Sequence, residues 1–303
     1  MILLWGIHAD EPTEAVMSTL ERRGVPFFMV DQQRILDTAI DMNGGAVLAG
    51  CLRVGRREVQ FHEITAAYIR PWDSQRMKAV EATPFNSIER THAAMIEEAL
   101  ISWSEVTPAR VINRPSSMAS NNSKPFQASV LRRCGFLTPR TLVTTDVQAV
   151  RDFNAQHGAI IYKSLSGVRS IVTRFGSEHA PRLPDVANCP TQFQEFVPGI
   201  DIRVHVIGSA TYACTIASSD TDYRYPKSQA PEIRPSTVPP DIESACVEVA
   251  NALGLLVAGI DLRQTPDGRW YCFEANPSPG FTFYEKAAGL PITAAVADLL
   301  SQP

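Results

Sequence analysis

Two apolar runs near the C-terminus, LVAGIDLRQ (256–264) and RWYCFEANP (269–277), are joined by TPDG (265–268). Asp-Gly between such runs predicts a hairpin with a two-residue turn, because Gly tolerates the positive φ that the turn requires. Strand partners are then equidistant from the Asp267–Gly268 bond, which sets Asp261 directly opposite Glu274. Asn276 lies diagonally on the same face, since side chains alternate along a strand. Pro277 and Pro279 end any central strand there. Directly opposed side chains have Cβ atoms about 4.5–5.5 Å apart. Two carboxylates that close repel, so one takes a proton or a cation lies between them. Three hard oxygens without sulfur or imidazole suit Mg²⁺ or Mn²⁺, and Mg²⁺ completes such a shell with waters and phosphates. The competing reading is a pair of solvated carboxylates on an exposed face. The apolar strands and the convergence of three oxygens favour the metal, and with it a nucleotide.

Phosphates need cations and backbone donors. Lys163 ends the apolar strand AIIYK and faces the loop SLSG (164–167), whose Ser166 and Gly167 are placed to fold over phosphate. The bland alternative is an edge lysine that discourages strand pairing. Lys124 opens a helix, where positive charge opposes the dipole. Arg203, in DIRVHV, shares a face with Asp201 and His205. Arg224, in DYRY, sits in a Pro-rich stretch (220–240) expected to be a mobile loop and a lid. Either arginine taken alone reads equally well as a surface charge. Neither G-x-x-x-x-G-K-[ST] nor G-x-G-x-x-G after the first strand is present, and no Ser-His-Asp arrangement stands out.

The bulk properties narrow the class. The chain has 303 residues, enough for two or three compact units. Its net charge of −4 gives no global pull toward nucleic acid or anionic membrane. No apolar run approaches the roughly 18–20 residues of a spanning helix, and MILLWGIHADE lacks the marks of a signal peptide. Cys51, Cys134, Cys189, Cys214, Cys246 and Cys272 form no C-x-x-C pair and read as reduced thiols of a cytoplasmic protein. The histidines form no H-x-x-x-H pair, which argues against zinc.

Local signals order the elements. Residues 2–8, a helix between Pro12 and Gly24, and 25–31 make a β-α-β unit, so the N-terminal region is α/β. A hairpin at 46–61, a strand at 65–71 and a helix at 87–103 follow. YIRPWDS (68–74) is a candidate substrate wall; the alternative, which is favoured, is ordinary packing of Trp72 beneath a loop. From residue 111 the expected order is a helix over 122–134, a helix from Asp146 to Gly158, strand-loop-strand over 159–175, a strand at 192–199 and a hairpin turning at Gly208-Ser209. A helix over 241–253, the C-terminal hairpin and a helix near 291–301 complete it. The divisions fall at 1–110, 111–190 and 191–303.

Taken in order, EFVPGIDIRVHVIG, DYRY and AGIDLRQ…WYCFEANPSPGFTFYEKAAGLPI resemble the RimK-like branch of the ATP-grasp ligases. INRPSSMASNNSKPFQ…GFLTPRTLVTT is similar to the opening of that domain. The resemblance covers about residues 111–303 and extends loosely to the ligases that macrocyclise microviridin-type peptides. It implies an α+β ATP-grasp fold of two subdomains clasping ATP, preceded by an α/β pre-ATP-grasp domain. Lys124 and Lys163 would contact phosphates, Glu195, Phe196 and Val197 would flank adenine, and Asp201 would face the ribose. Arg203 and Arg224 would stabilise the phosphates or an acyl phosphate. Asp261, Glu274 and Asn276 would hold magnesium. The implied reaction joins a carboxylate, on an amino acid or peptide, to an amine or hydroxyl with release of ADP and phosphate. The alternative is an inactive Mg·ATP-binding regulatory or scaffold protein. Dimers and tetramers are common among such ligases; a nucleic-acid or membrane partner is not expected. The chain departs from its relatives in the single Gly of SLSGVRS, in Arg169 within that loop, and in Pro226 near a position that commonly carries Asn.

Overall fold

The computed structural model describes residues 1–44, 49–165, 171–218, 223 and 229–302. Strands β1 (Ile2–Gly6) and β2 (Phe27–Asp31) pair in parallel and are connected through helix α1 (Glu11–Arg22). Asp10 caps α1 by accepting from the Thr13 amide, and Pro12 stands in the first turn. An antiparallel sheet follows: β3 (Thr38–Asn43), β4 (Ala49–Val54) and β5 (Arg57–Gln60). β4 and β5 are the expected hairpin; β3 is a further strand outside that expectation. Next come β6 (Ala66–Arg70), the short α2 (Lys78–Glu81), α3 (Ile88–Val106) and β7 (Arg110–Ile112). β6 and β7 complete a parallel sheet of order β2-β1-β6-β7. Every residue of β1 is buried, which is why ILLWG reads as an unbroken apolar run.

The short α4 (Pro115–Met118) and α5 (Lys124–Arg133) lead into β8 (Thr141–Thr144), α6 (Val147–His157), β9 (Ile160–Ser164), β10 (Thr173–Arg174) and β11 (Thr191–Glu195). These strands form a small antiparallel sheet of order β10-β9-β11-β8. Asp146 caps α6 and Gly158 follows its end at φ 73°, so both limits of that helix lie where the sequence puts them.

The last unit is a five-stranded antiparallel sheet. Its strands are β12 (Ile200–Ile207), β13 (Ala210–Ala217), β14 (Glu232–Ser236), β15 (Val257–Gln264) and β16 (Trp270–Asn276), in the order β14-β13-β12-β15-β16. α7 (Pro240–Ala252) precedes β15; α8 (Phe281–Ala288) and α9 (Ile292–Ser301) follow β16. β14 corrects the reading of 220–240 as loop throughout. Ile233 is buried against Ile216 and Tyr284, and that anchors an edge strand despite Pro235.

The expected divisions meet paired strands. Residues 110 and 111 both lie in β7, and β11 pairs with β8 and β9 in the small sheet. Val130 and Leu131 of α5 share a core with Val249 of α7 and with Val204 and Ile260 of the large sheet. Leu4, Leu20 and Ile112 share another with Ile207, Val257 and α9. Among the described residues, no helix is long and apolar enough to cross a membrane.

Candidate active site

Asp261 does lie opposite Glu274, and Asn276 lies opposite Gly259. The route differs from the expected one. The turn has three residues, Pro266, Asp267 and Gly268, closed by Thr265 N–H to Arg269 O at 2.9 Å. Gly268 takes φ 81°, the left-handed position of a three-residue hairpin loop. Near the turn Leu262 therefore pairs with Cys272, one residue off the expected register. A bulge between Cys272 and Glu274 inserts Phe273 and restores it.

The carboxylates resolve their repulsion with protein cations. Arg203, opposite Asp261 on β12, bonds Asp261 Oδ1 at 2.5 Å. Lys124 Nζ reaches Glu274 Oε2 at 2.9 Å and Asn121 Oδ1 at 2.8 Å. Burial pushes the Glu274 carboxyl up, but Lys124, Lys163 and Arg203 outweigh it and hold the group below its ordinary value. Arg203 is itself buried, at 4% exposure. Burial works against its charge; Asp261 and the Tyr284 and Tyr223 hydroxyls overcome that and raise it. The Arg203 guanidinium also lies 5.3 Å from the Tyr284 ring centroid. A methyl group on Gly259 would overlap that guanidinium, so the glycine makes its seat. Burial, then the Arg203 charge, hold His205 neutral.

The donor set fits magnesium. Among the described residues no three His, Cys, Asp or Glu side chains gather as a metal cluster. Two carboxylates and an amide oxygen are a sparse, hard set, suited to an ion that keeps waters and phosphate oxygens.

A cleft of about 740 Å³ opens between the small sheet and β16, lined by Lys124, Lys163, Gln192, Gln194, Glu195 and Phe273. A recess beside it is bounded by Glu195, Phe196, Val197, Pro266 and Tyr271. The buried Gln192 and Gln194 each leave an amide oxygen without a partner among the described residues. Unmet acceptors lining a cleft suit a polar ligand. Glu195 Oε1 accepts from the Arg140 amide at 2.9 Å, and Phe196 N–H donates to Ala159 O at 2.8 Å. Asp201 is gripped by Arg263 through two bonds of 2.7 and 2.8 Å, while the same guanidinium donates to Val197 O at 2.7 Å. The structure thus brings Lys124, Lys163 and Glu195 to one cleft, with Phe196 and Val197 in the recess beside it. Arg203, Asp261, Glu274 and Asn276 stand beside it, with Asp201 tied through Arg263 to Val197. Ser166, Gly167 and Arg224 lie outside the described residues, as do Arg169 and Pro226. Trp72 is 56% exposed and does not pack beneath a loop.

Sequence reasoning missed several supporting residues. Arg263 pairs opposite Asp201, a relation visible only once β12 and β15 are aligned. Gln127 both donates to and accepts from the Ala275 backbone on the outer edge of β16. Asn113 uses its whole amide: it donates to Val257 O and Pro277 O, and accepts from Leu256 and Val257 N–H.

The RimK-like ATP-grasp domain profile matches residues 129–300. The chain belongs to this family. It is 28% identical over 191 residues to a probable alpha-L-glutamate ligase of Mannheimia succiniciproducens, covering 60% of this chain and 64% of that protein. It is 34% identical over 117 residues to beta-citrylglutamate synthase B of Danio rerio, covering 37% of this chain and 28% of that protein. The chain thus spans less than two thirds of these relatives. Among solved structures, it resembles ATP-grasp ligase PsnB complexed with minimal precursor, Mg and ADP, at TM-score 0.78 and 27% identity, covering 99% of this chain and 96% of that one. It shares the fold of macrocyclase MdnC from Microcystis aeruginosa MRC, at TM-score 0.82 and 24% identity over 99% and 98% of the two chains. The architecture is an ATP-grasp fold.

Proposed function

We propose that this ligase activates a peptide carboxylate as an acyl phosphate and joins it to an amine or hydroxyl, releasing ADP and phosphate. The carrying observation is the register that sets Asp261 opposite Glu274 beside a cation-lined cleft, with Arg203 and Lys124 as their partners. A peptide substrate is supported by PsnB, complexed with precursor peptide PsnA2 at 26% identity over 99% of this chain. The free thiols accord with a reducing, cytoplasmic setting.

The roles are those that the family resemblance implies, and the positions of the residues support them. Lys124 and Lys163 hold phosphate oxygens, and Glu195, Phe196 and Val197 flank the base. Asp201, fixed by Arg263, faces the ribose. Asp261, Glu274 and Asn276 hold magnesium; when bound, it neutralises phosphate charge during transfer. A substrate carboxylate oxygen attacks the γ-phosphorus, the bond to the β-phosphate oxygen breaks, and ADP leaves. The amine or hydroxyl then attacks the acyl carbon, and phosphate departs with the proton. Arg203, held rigidly by Asp261 and Tyr284, offers a fixed cation to the charge on the transferring group. Ser166, Gly167 and Arg224 enter through the family resemblance alone, as loop donors to phosphate and as a second cation.

The test is mass spectrometry of reactions with Mg·ATP and pooled amino acids and short peptides, with Glu274→Ala as control. The expected result is ADP together with a product one water lighter than its summed reactants, absent in the control. AMP with pyrophosphate, or a product that persists in the control, overturns the proposal.

A further inference from the structure

The motif YIRPWDS (68–74) puts one side chain to unexpected use. Arg70 is the last residue of β6, beside Gly6 of β1. Its side chain is only 14% exposed. Nε donates to Asp10 Oδ2 at 2.8 Å, and that carboxylate also caps α1. Nη1 turns the other way, donating to Ser278 Oγ at 2.8 Å and Pro279 O at 3.2 Å. Ser278 in turn donates its backbone N–H to Asn276 Oδ1 at 2.9 Å. A continuous chain of bonds therefore runs from Asp10 through Arg70 and Ser278 to the amide oxygen assigned to the metal.

We infer that Arg70 is a positioning residue through which the N-terminal sheet sets the orientation of Asn276 at the magnesium site. The inference rests on the metal reading of Asp261, Glu274 and Asn276. Its logic is geometric. An amide oxygen has two lone pairs; one accepts from Ser278, and the other is left for the ion. The first bond fixes where the second points. Ser278 follows Pro277 in a loop outside any strand, so the ladder between β15 and β16 does not place it. Arg70 supplies what the ladder lacks, and Asp10 aims the guanidinium by holding its opposite edge. A planar guanidinium can meet Asp10 and the loop together. A lysine in its place keeps the charge and loses the fork.

Outer-layer residues that orient a metal ligand typically contribute about 10–100-fold in metal affinity. The experiment is calorimetric titration of ADP, with magnesium and with chelator, into wild type, Arg70→Met, Arg70→Lys and Ser278→Ala. In wild type, magnesium should tighten ADP binding. Arg70→Met should reduce that enhancement about tenfold and leave metal-free ADP affinity unchanged. Arg70→Lys should fall between the two, and Ser278→Ala should lose less. A wild-type enhancement in Arg70→Met overturns the inference and leaves the ligase proposal standing. No enhancement in wild type overturns the metal reading and the inference with it. Should Arg70→Met fail to fold, Ser278→Ala decides: a reduced enhancement supports the inference, and an unchanged one overturns it.

Discussion

The sheet that carries Asp261 and Glu274 and the sheet that carries Lys163 face each other across the cleft but are held very differently. In the large sheet Ile202, Val204, Ile260, Leu262 and Cys272 are buried beneath α5 and α7. In the small sheet the buried cluster is Val150, Ile160, Leu183, Val186 and Phe193, with Tyr162 and Phe175 only partly covered. β8 alternates between exposed and half-buried residues along its length. The carboxylates, whose spacing must be kept, stand on the thick sheet. Lys163, the lysine proposed to contact phosphate, stands on the thin one. Elements with little buried apolar surface open most readily, so the small sheet is the part expected to shift when nucleotide enters.

The largest test of this contrast is Phe193→Ala. Phe193 is 2% exposed and packs on Tyr162 and Phe175 with ring centroids 6.3 and 6.2 Å away. Its truncation should destabilise the small sheet by about 3–5 kcal/mol. Hydrogen exchange should quicken in β9 and β11 while β12 and β15 keep their protection. Equal loss in both sheets would show that they unfold as one unit. Next is Gly259→Ala, which displaces the Arg203 guanidinium on the thick sheet. It should lower kcat about 100-fold, the effect of misplacing a group by about 1 Å, with nucleotide affinity little changed. Steady-state kinetics with measured ADP binding separates the two.

Arg263→Met releases Asp201 and the Val197 carbonyl where the two sheets meet. Loss of a bond to a charged group is worth about 1.5 kcal/mol. KM for ATP should rise about tenfold with kcat unchanged. The smallest effect is on pH dependence. Glu274 titrates below 4.5 in the folded protein, because its cations outweigh burial. Its contribution to stability is therefore present above pH 4.5 and is lost as pH falls through the folded value. The Tm difference between wild type and Glu274→Gln should be constant over about pH 6–8 and shrink toward acid.

What could be read in advance follows the same divide between local and distant. α6 was legible at both ends because Asp146 and Gly158 are signals carried by single residues. The pairing of Asp261 with Glu274 was legible from a turn and two apolar runs. The turn is one residue longer than Asp-Gly predicts and Phe273 bulges, and these two departures cancel at Asp261 and Glu274. Asp-Gly does not distinguish a two-residue turn from a three-residue loop ending in Gly. β14 was obscured by Pro235, which an edge strand tolerates. α8 was obscured because it follows NPSPG (276–280) directly, although Gly289 at φ 66° marks its end. Asn113, Arg70 and Arg263 were invisible as a group. Each acts on backbone or side chains more than sixty residues away, and no period or spacing records such bonds.

The most direct test of the central claim uses peptides whose carboxylates carry ¹⁸O. The label is followed into the phosphate released during turnover with Mg·ATP. If the carboxylate attacks the γ-phosphorus and the acyl phosphate then yields to an amine or hydroxyl, the released phosphate carries one ¹⁸O per product formed. Unlabelled phosphate accompanying product would contradict activation of the carboxylate at this site.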